Sequence, residues 1–190
     1  MINVNKISDY QLFTEIRSDW AKLFTESGST NFFLSWEWTD ACWKSQAFPQ
    51  EEPWIITVYQ DTRLVGIAPF ARSRFQKNNL TFYALTQIGN READSGCFLI
   101  LPETEDIITR NIFIFLAEHR HEWDFFELYE VPANECYGEK VRKLYPERYK
   151  LLVTQDIQFE LPLKRTWEEI YQALSKNTLF NYRKKIRLFS

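Results

Sequence analysis

Two β-rich runs, WIITVYQ (54–60) and LVGIAPFARSRF (64–75), are separated only by the polar triplet Asp61-Thr62-Arg63. Strand-like runs around so short a polar turn make an antiparallel hairpin, and everything before and after must fold around that sheet. Upstream, INVNKI (2–7) alternates apolar and polar residues at period two and reads as a short strand. Ser8 and Gln11 then have capping-box spacing, and Leu12, Ile16, Trp20, Leu23 and Phe24 recur at helical intervals as one apolar face. Ser27-Gly28-Ser29-Thr30-Asn31 breaks that helix, and a second is expected from Ser35 with Trp38, Cys42 and Trp43 inward.

Downstream, an extended run begins at Leu80 through LTFYALTQIGN and resumes in CFLIL. Thr104 to Arg120 carries Ile108, Ile112, Phe115 and Leu116 at helical spacing. DFFELYEV reads as a strand, Asn134 to Tyr145 as a short helix stopped by Pro146, and YKLLVTQDIQFELPL as a long strand. The order is therefore β-α-α-β-β-β-α-β-α-β and then a terminal helix. It predicts an α/β fold with a mixed sheet of about six strands, helices on both faces, and Trp20, Trp38, Trp43 and Phe115 largely buried.

Composition agrees with one domain of ordinary size. The chain has 190 residues, 45% of them hydrophobic and 17% aromatic, enough to bury a core. Cys42, Cys97 and Cys136 lie far apart with no C-x-x-C spacing, as expected of reduced thiols rather than a disulfide frame. The N-terminal stretch MINVNKISDY lacks a charged region followed by an apolar run, and nothing approaches the ~20 apolar residues of a membrane span. The expected location is the cytoplasm.

That element order is the order of the GNAT acyltransferase fold, which the chain resembles over nearly its full length. The segments FFLSWEWTDACW, RLVGIAPF, EWDFFELYEVP and TWEEIYQALSKNTLFNYRKKIRLF are, more narrowly, similar to the acetyltransferase-like domain associated with cellulose biosynthesis, a relative of the Fem-type aminoacyl transferases. The resemblance implies acyl transfer from a thioester such as acetyl-CoA to an amine or hydroxyl acceptor. It also implies that catalysis rests on positioning the thioester and polarising its carbonyl with backbone N–H groups, often with a carboxylate or water as base.

One junction departs from that pattern. Where the fourth strand enters the third helix, the family has a glycine-bearing turn whose N–H groups approach the CoA pyrophosphate. Here the junction reads CFLILPETEDIITRN, without glycine. Pro102 supplies no N–H, and Glu103, Glu105 and Asp106 would repel a pyrophosphate, so this chain alone is expected to bind no acyl-CoA.

The terminal segment is basic. Residues 175–190 contribute +5 to a net charge of −3, leaving −8 on the rest of the chain, a distribution that speaks against nucleic acid. Thr166 and Glu169 have capping-box spacing, and the expected domain division is 1–165 followed by one long amphipathic helix over 166–190. Trp167, Tyr171, Leu174, Thr178, Tyr182, Ile186 and Phe189 would share one face of that helix, and Lys176, Phe180, Arg183 and Arg187 another. With Lys184, the cations can be a solvated face helped by the helix dipole, a phosphate site shared with another body, or a surface for an acidic partner or nucleic acid. Resembling proteins continue into a second GNAT-like half. The chain is therefore expected to be an N-terminal half, inactive alone, whose apolar stripe is covered by that half or by a second copy.

The remaining candidates are sparse. Asp94 lies where the resembling proteins place an aspartate, and is either a catalytic base or a turn cap. Ser95 lacks a G-x-S-x-G elbow. His119 and His121, at i and i+2, are expected to point apart and bind no metal. Trp36, Trp38, Trp43, Trp54, Trp123 and Trp167 could form a sugar platform, but their positions beside apolar repeats suit packing better. A non-catalytic binding or assembly module using the basic helix stays open as the alternative function, and the acceptor's identity is beyond these residues.

Overall fold

The computed structural model describes residues 1–45, 51–89, 97–129, 131, 143 and 166–189. The chain divides into two compact units, Met1–Leu151 and Leu152–Ser190. In the first, strand β1 (Ile2–Ile7) leads into helices α1 (Tyr10–Glu15), α2 (Arg17–Glu26) and α3 (Trp36–Lys44). Strands β2 (Glu51–Gln60), β3 (Arg63–Lys77), β4 (Leu80–Gln87) and β5 (Leu99–Ile100) follow, then α4 (Glu105–Glu118) and β6 (Phe125–Phe126). The second unit contains α5 (Trp167–Ala173) and α6 (Lys176–Phe189).

The described sheet has six strands in the order β1-β2-β3-β4-β6, with β5 also on β3. Pairing is antiparallel from β1 to β4, and β6 lies parallel to β4. This is the mixed sheet of about six strands expected from the element order. The hairpin of 54–75 is its centre, starting at Glu51 and closing through Asp61, which takes a positive φ of 55°. No described helix is long and apolar enough to cross a membrane.

Strand β3 has different neighbours along its length. Its outer edge pairs with β4 from Phe70 to Lys77 and with β5 at Gly66 and Ile67. Had β4 continued in register, Gly66 would face position 91; it faces Ile100, so nine extra residues intervene. Pro69 sits where the change occurs. Its carbonyl accepts from the Ile88 N–H at 2.8 Å, but proline has no N–H to return, and the ladder stops there. The chain then leaves at Gly89, with φ of +78°.

The two faces of the sheet follow from period two. Trp54 meets Phe115 and His119 of the α4 side, with ring centroids 5.9 and 6.1 Å away, so Trp54, Ile56 and Val58 face α4. A Lys6–Glu122 ion pair locks that side. Lys6 Nζ lies 2.8 and 2.6 Å from the two Glu122 oxygens, and the Trp54 indole N–H donates to the same carboxylate at 2.9 Å. Burial would push Glu122 up, but these donors hold it below the usual carboxylate range. On the opposite face the Phe13 ring stacks on Trp36 at 4.9 Å and meets Trp20 edge-on at 5.8 Å.

Several expectations are corrected here. The first helix is capped by Asp9 rather than Ser8, through its side chain accepting from Leu12 N at 3.0 Å, and it breaks in two at Ile16. Trp20 is fully buried, but Trp38, Trp43 and Phe115 are only half-buried. Trp36, not counted as inward, is buried instead. The Ser35 cap, which accepts from Trp38 N at 3.1 Å, starts the helix at Trp36 and turns that residue inward. The strand over DFFELYEV is limited to Phe125 and Phe126. Of the expected helix 134–145 only Lys143, which is helical, is described, and the expected strand 149–163 lies outside the described residues.

Helix α4 approaches the sheet most closely over Gly66, where an added Cβ would collide with the Ile108 side-chain methyl. Gly66→Ala is expected to cost about 1–3 kcal/mol of unfolding free energy as overpacking, and markedly less in an Ile108→Ala background. Urea unfolding of the four chains of that cycle checks it; additive losses would contradict the close approach.

Candidate functional site

On the face away from α4, the cross-strand row Glu51–Ser73–Ala84–Phe125 runs across β2, β3, β4 and β6. Its next row toward α3 is Pro53–Ala71–Thr86. Small side chains dominate, and Ser73, Ala71, Ala84 and Thr86 are all buried. Above them stands the second half of α3. A Cβ at Gly89 would lie 3.0 Å from Cys42 Sγ and 3.1 Å from Trp38 Nε1, so the absence of a side chain there lets α3 settle over the end of β4. Among the described residues, Trp38 Nε1 and Thr86 Oγ1 are buried polar atoms without a hydrogen-bond partner.

Glu51 is the chemically distinctive member. Desolvation by burial pushes its carboxyl from 4.5 up to about 7, and no cation pairs with it among the described residues. Its neighbour Glu52 shows the contrast. One residue further along the strand, Glu52 presents to the other face and is paired with Arg72 at 2.6 Å. Burial, with a smaller contribution from the Glu51 charge, also pushes the Cys42 thiol up to about 11. Cys42 is therefore a thiol at neutral pH, a poor nucleophile, while Glu51 can exchange a proton there.

The residues singled out in the sequence fall elsewhere. Asp94 and Ser95 lie outside the described residues, as does Cys136. Cys42 is a free thiol, and Cys97 Sγ accepts from the Asn31 side-chain amide at 3.4 Å. His119 and His121 do not point apart: α4 ends at Glu118, a short 3-10 turn follows, and the rings come to 6.2 Å with 27° between planes. His119 also stacks on Phe115 at 3.9 Å, and its Nδ1 bonds the Phe115 carbonyl at 2.9 Å. Both rings serve packing at the helix end. No group of three or more His, Cys, Asp or Glu that could hold a metal occurs among the described residues.

The terminal segment is not one helix. The capping box is present, with Thr166 N donating to Glu169 Oε2 at 2.9 Å and Glu169 N to Thr166 Oγ1 at 3.3 Å. However, Leu174 is extended, with ψ of 143°, and Ser175 starts a new helix by accepting from Thr178 N at 3.2 Å. A second cap beat the continued apolar period. Tyr171 and Tyr182 then meet edge-on at 6.2 Å, whereas eleven residues of one straight helix would rise about 16 Å, so α6 folds back on α5. Part of the apolar stripe is consumed in that contact.

Lys176 becomes the first residue of α6, at the end of the helix dipole that disfavours a cation. Lys176 and Lys184 are exposed, and Arg183 and Arg187 lie further along the same helix. These four belong to the second unit, and Glu51 belongs to the first.

Glu51 escaped the sequence reading because strand β2 was begun after Pro53. Counting back by two from Ile55 through Pro53 would have put it on the face beneath α3. At the β5–α4 junction the chain runs through Leu101 into a 3-10 turn at Pro102–Thr104, and Glu105 and Asp106 occupy the first turn of α4. The three carboxylates and the proline do not fit a pyrophosphate at this helix start.

No protein-family model matches the chain, and no curated protein matches its sequence. Among solved structures it is similar to a ribosomal-protein-alanine N-acetyltransferase from Brucella melitensis biovar Abortus 2308, at 13% identity over 83% of this chain and 99% of that one, with a TM-score of 0.47. It is also similar to a GNAT family acetyltransferase from Staphylococcus aureus, at 9% identity over 84% and 98%, TM-score 0.44. A third is an aminoglycoside acetyltransferase from an uncultured soil metagenomic sample, in complex with sisomicin, at 9% identity over 86% and 97%, TM-score 0.42. At these TM-scores the likenesses carry no argument, and the fold rests on the chain's own topology and register.

The raised carboxyl has a consequence for stability. Below about pH 4.5 Glu51 is protonated in both folded and unfolded chains and costs nothing. As pH rises toward 7 the unfolded chain ionises first, so stability falls, and the loss is complete above the folded value. Glu51→Gln removes that loss. Allowing for solvent screening of a half-buried group, the variant is expected to be more stable than the parent by about 1 kcal/mol at pH 8 and equal to it at pH 4.5. Thermal melts across that range check it; a constant offset would contradict the raised carboxyl.

Proposed function

We propose that this chain is the acceptor-binding part of a GNAT-type acyltransferase, with Glu51 as the general base. The observation that carries the reading is a carboxyl raised to about 7, unpaired among the described residues, at the head of a row through the small buried Ser73 and Ala84. A base whose value lies near the working pH combines the right protonation state with useful driving force.

The reaction is transfer of an acyl group from a thioester to an amine or hydroxyl acceptor. For an amine, nitrogen attacks the thioester carbonyl carbon, the C–N bond forms, the C–S bond breaks, and the sulfur leaves as a thiol that takes up a proton. The acceptor's own proton goes to Glu51. The α4 start does not fit a CoA pyrophosphate, so the acetyl-CoA or other acyl-CoA is held by a second GNAT-like half, and these 190 residues alone are inactive. The second half, or a second copy of the chain, docks through the terminal helices. The free Cys42 thiol supports a cytoplasmic setting.

A second reading uses α6. Lys176, Lys184 and Lys185 are exposed beside Phe180, on a helix with no acidic residue, as a module for an acidic or phosphate-bearing partner would have them. Arg183 and Arg187 add charge to the same helix. In that reading the fold has lost its chemistry and Glu51 is an unused buried carboxyl.

Thiol release from acetyl-CoA, followed with Ellman's reagent in the intact gene product containing these residues, separates the two. Acceptor-dependent release is expected to fall about 100-fold or more in Glu51→Gln, with loss of the rising pH limb near 7. Release untouched by that substitution would remove Glu51 from the chemistry. Calorimetry on the 190-residue chain is expected to show no acetyl-CoA binding at micromolar concentrations; low-micromolar binding would contradict the junction's role.

A further inference from the structure

Local features shape the corner between α5 and α6. Leu174 is extended, with ψ of 143°, and its N–H reaches back to the Tyr171 carbonyl at 3.4 Å, a long closing bond for α5. Ser175 then caps α6. Its hydroxyl oxygen accepts from the Thr178 N–H at 3.2 Å and lies 2.8 Å from Thr178 Oγ1, while its carbonyl accepts the first helical bond, from the Leu179 N–H at 2.9 Å. The Tyr171 and Tyr182 rings, edge-on at 6.2 Å, join the two helices. Ala173, Ser175, Lys176, Asn177 and Thr178 are all exposed, so the turn lies in water and burial does not fix its angle.

The same residues also specify a straight helix. Tyr171, Leu174, Thr178 and Tyr182 recur at helical intervals across the corner, with no proline or glycine between Thr166 and Phe189. Glu168 and Glu169 stand in the first turn of α5 and Lys184 and Lys185 toward the end of α6, an arrangement that suits the dipole of one helix over the whole span. Lys176 is unfavourably placed only while it begins a helix. Straightening would give the N–H groups of Ser175, Lys176 and Asn177 the carbonyls of Tyr171, Gln172 and Ala173, the i to i−4 bonds that a helix start lacks. Against that stand the loss of the Ser175 cap and of the ring contact, and the poor helix propensity of Ser175, Asn177 and Thr178. Gains and losses of similar size and opposite sign are the condition for two populated states.

We propose that Leu174–Ser175 is a two-state hinge, at which residues 166–189 exchange between this fold-back and one continuous helix. In the fold-back the Tyr171–Tyr182 contact covers part of the apolar stripe. In the continuous helix the two residues stand about 16 Å apart on one face, and the stripe is presented whole. The hinge thereby sets how much apolar surface the basic helix offers. It rests on neither of the functional readings given above.

NMR of the full 190-residue chain reads both states. The Leu174 Cα shift distinguishes helical from extended backbone, and a ring-to-ring NOE reports the Tyr171–Tyr182 contact. Ser175→Ala removes the cap and favours helix, and is expected to raise the straight-to-bent ratio about tenfold, moving Leu174 toward the helical value and weakening the NOE. Lys176→Pro acts in the opposite direction. Proline is accepted at the first position of α6 but not inside a continuous helix, and it keeps the preceding Ser175 out of the helical region, so Leu174 is expected to become fully extended and the NOE to strengthen. The same Leu174 shift in the parent and both variants would overturn the hinge. So would a Ser175→Ala chain that keeps the extended Leu174 and the full NOE, or one in which α6 melts instead of joining α5.

Discussion

Everything in the first unit depends on how β3 is shared. Fifteen residues long, it pairs with β2 along one edge and gives its other edge to two different strands in turn. Pro69 marks the change, since without an N–H it cannot return the hydrogen bond that it accepts from Ile88 on that edge. Without that interruption β4 would run on as an ordinary strand. With it, β4 ends under α3, β5 resumes two residues closer to the hairpin turn at Asp61, and Gly66 lets α4 sit close against the sheet.

The break also creates the chemical asymmetry of the two faces. The α4 face is closed by large rings and by the Lys6–Glu122–Trp54 cluster, where a carboxylate is buried but fully answered by donors. The other face carries small residues near the end of β4 and a carboxylate with no answering cation among the described residues. Two glutamates in partly buried settings thus move in opposite directions, Glu122 down and Glu51 up. Donors outweigh desolvation at Glu122, whereas desolvation acts unopposed on Glu51. Structural carboxylates are paired, and a partly buried one that no described cation answers is a place to look for proton transfer.

Much of this was legible in the sequence where local chemistry and long-range packing agree. Strand β1 was read to the residue, the 54–75 hairpin to within a few residues, and α4 from its 3.6-residue period, because each is set by the pattern of its own side chains. The acidic β5–α4 junction was legible for the same reason. Failures came where two local signals competed. Ser175 caps a new helix inside a stretch whose apolar period runs on unbroken, and Asp9 outbids Ser8 for the cap of α1. The site itself was hidden because its members lie far apart in the sequence: Glu51, Ser73 and Thr86 are brought near one another by sheet register, and Cys42 and Gly89 by the packing of α3.

The account stands most directly on the ionisation of one carboxyl. Carbon-13 NMR of the Glu51 side-chain carboxyl, assigned by its loss in Glu51→Gln, measures its midpoint between pH 3 and 9. The account predicts a midpoint at about 7, well above the remaining glutamates. A midpoint between about 4 and 5, the range of a solvated glutamate, would contradict it and leave the row beneath α3 without a base.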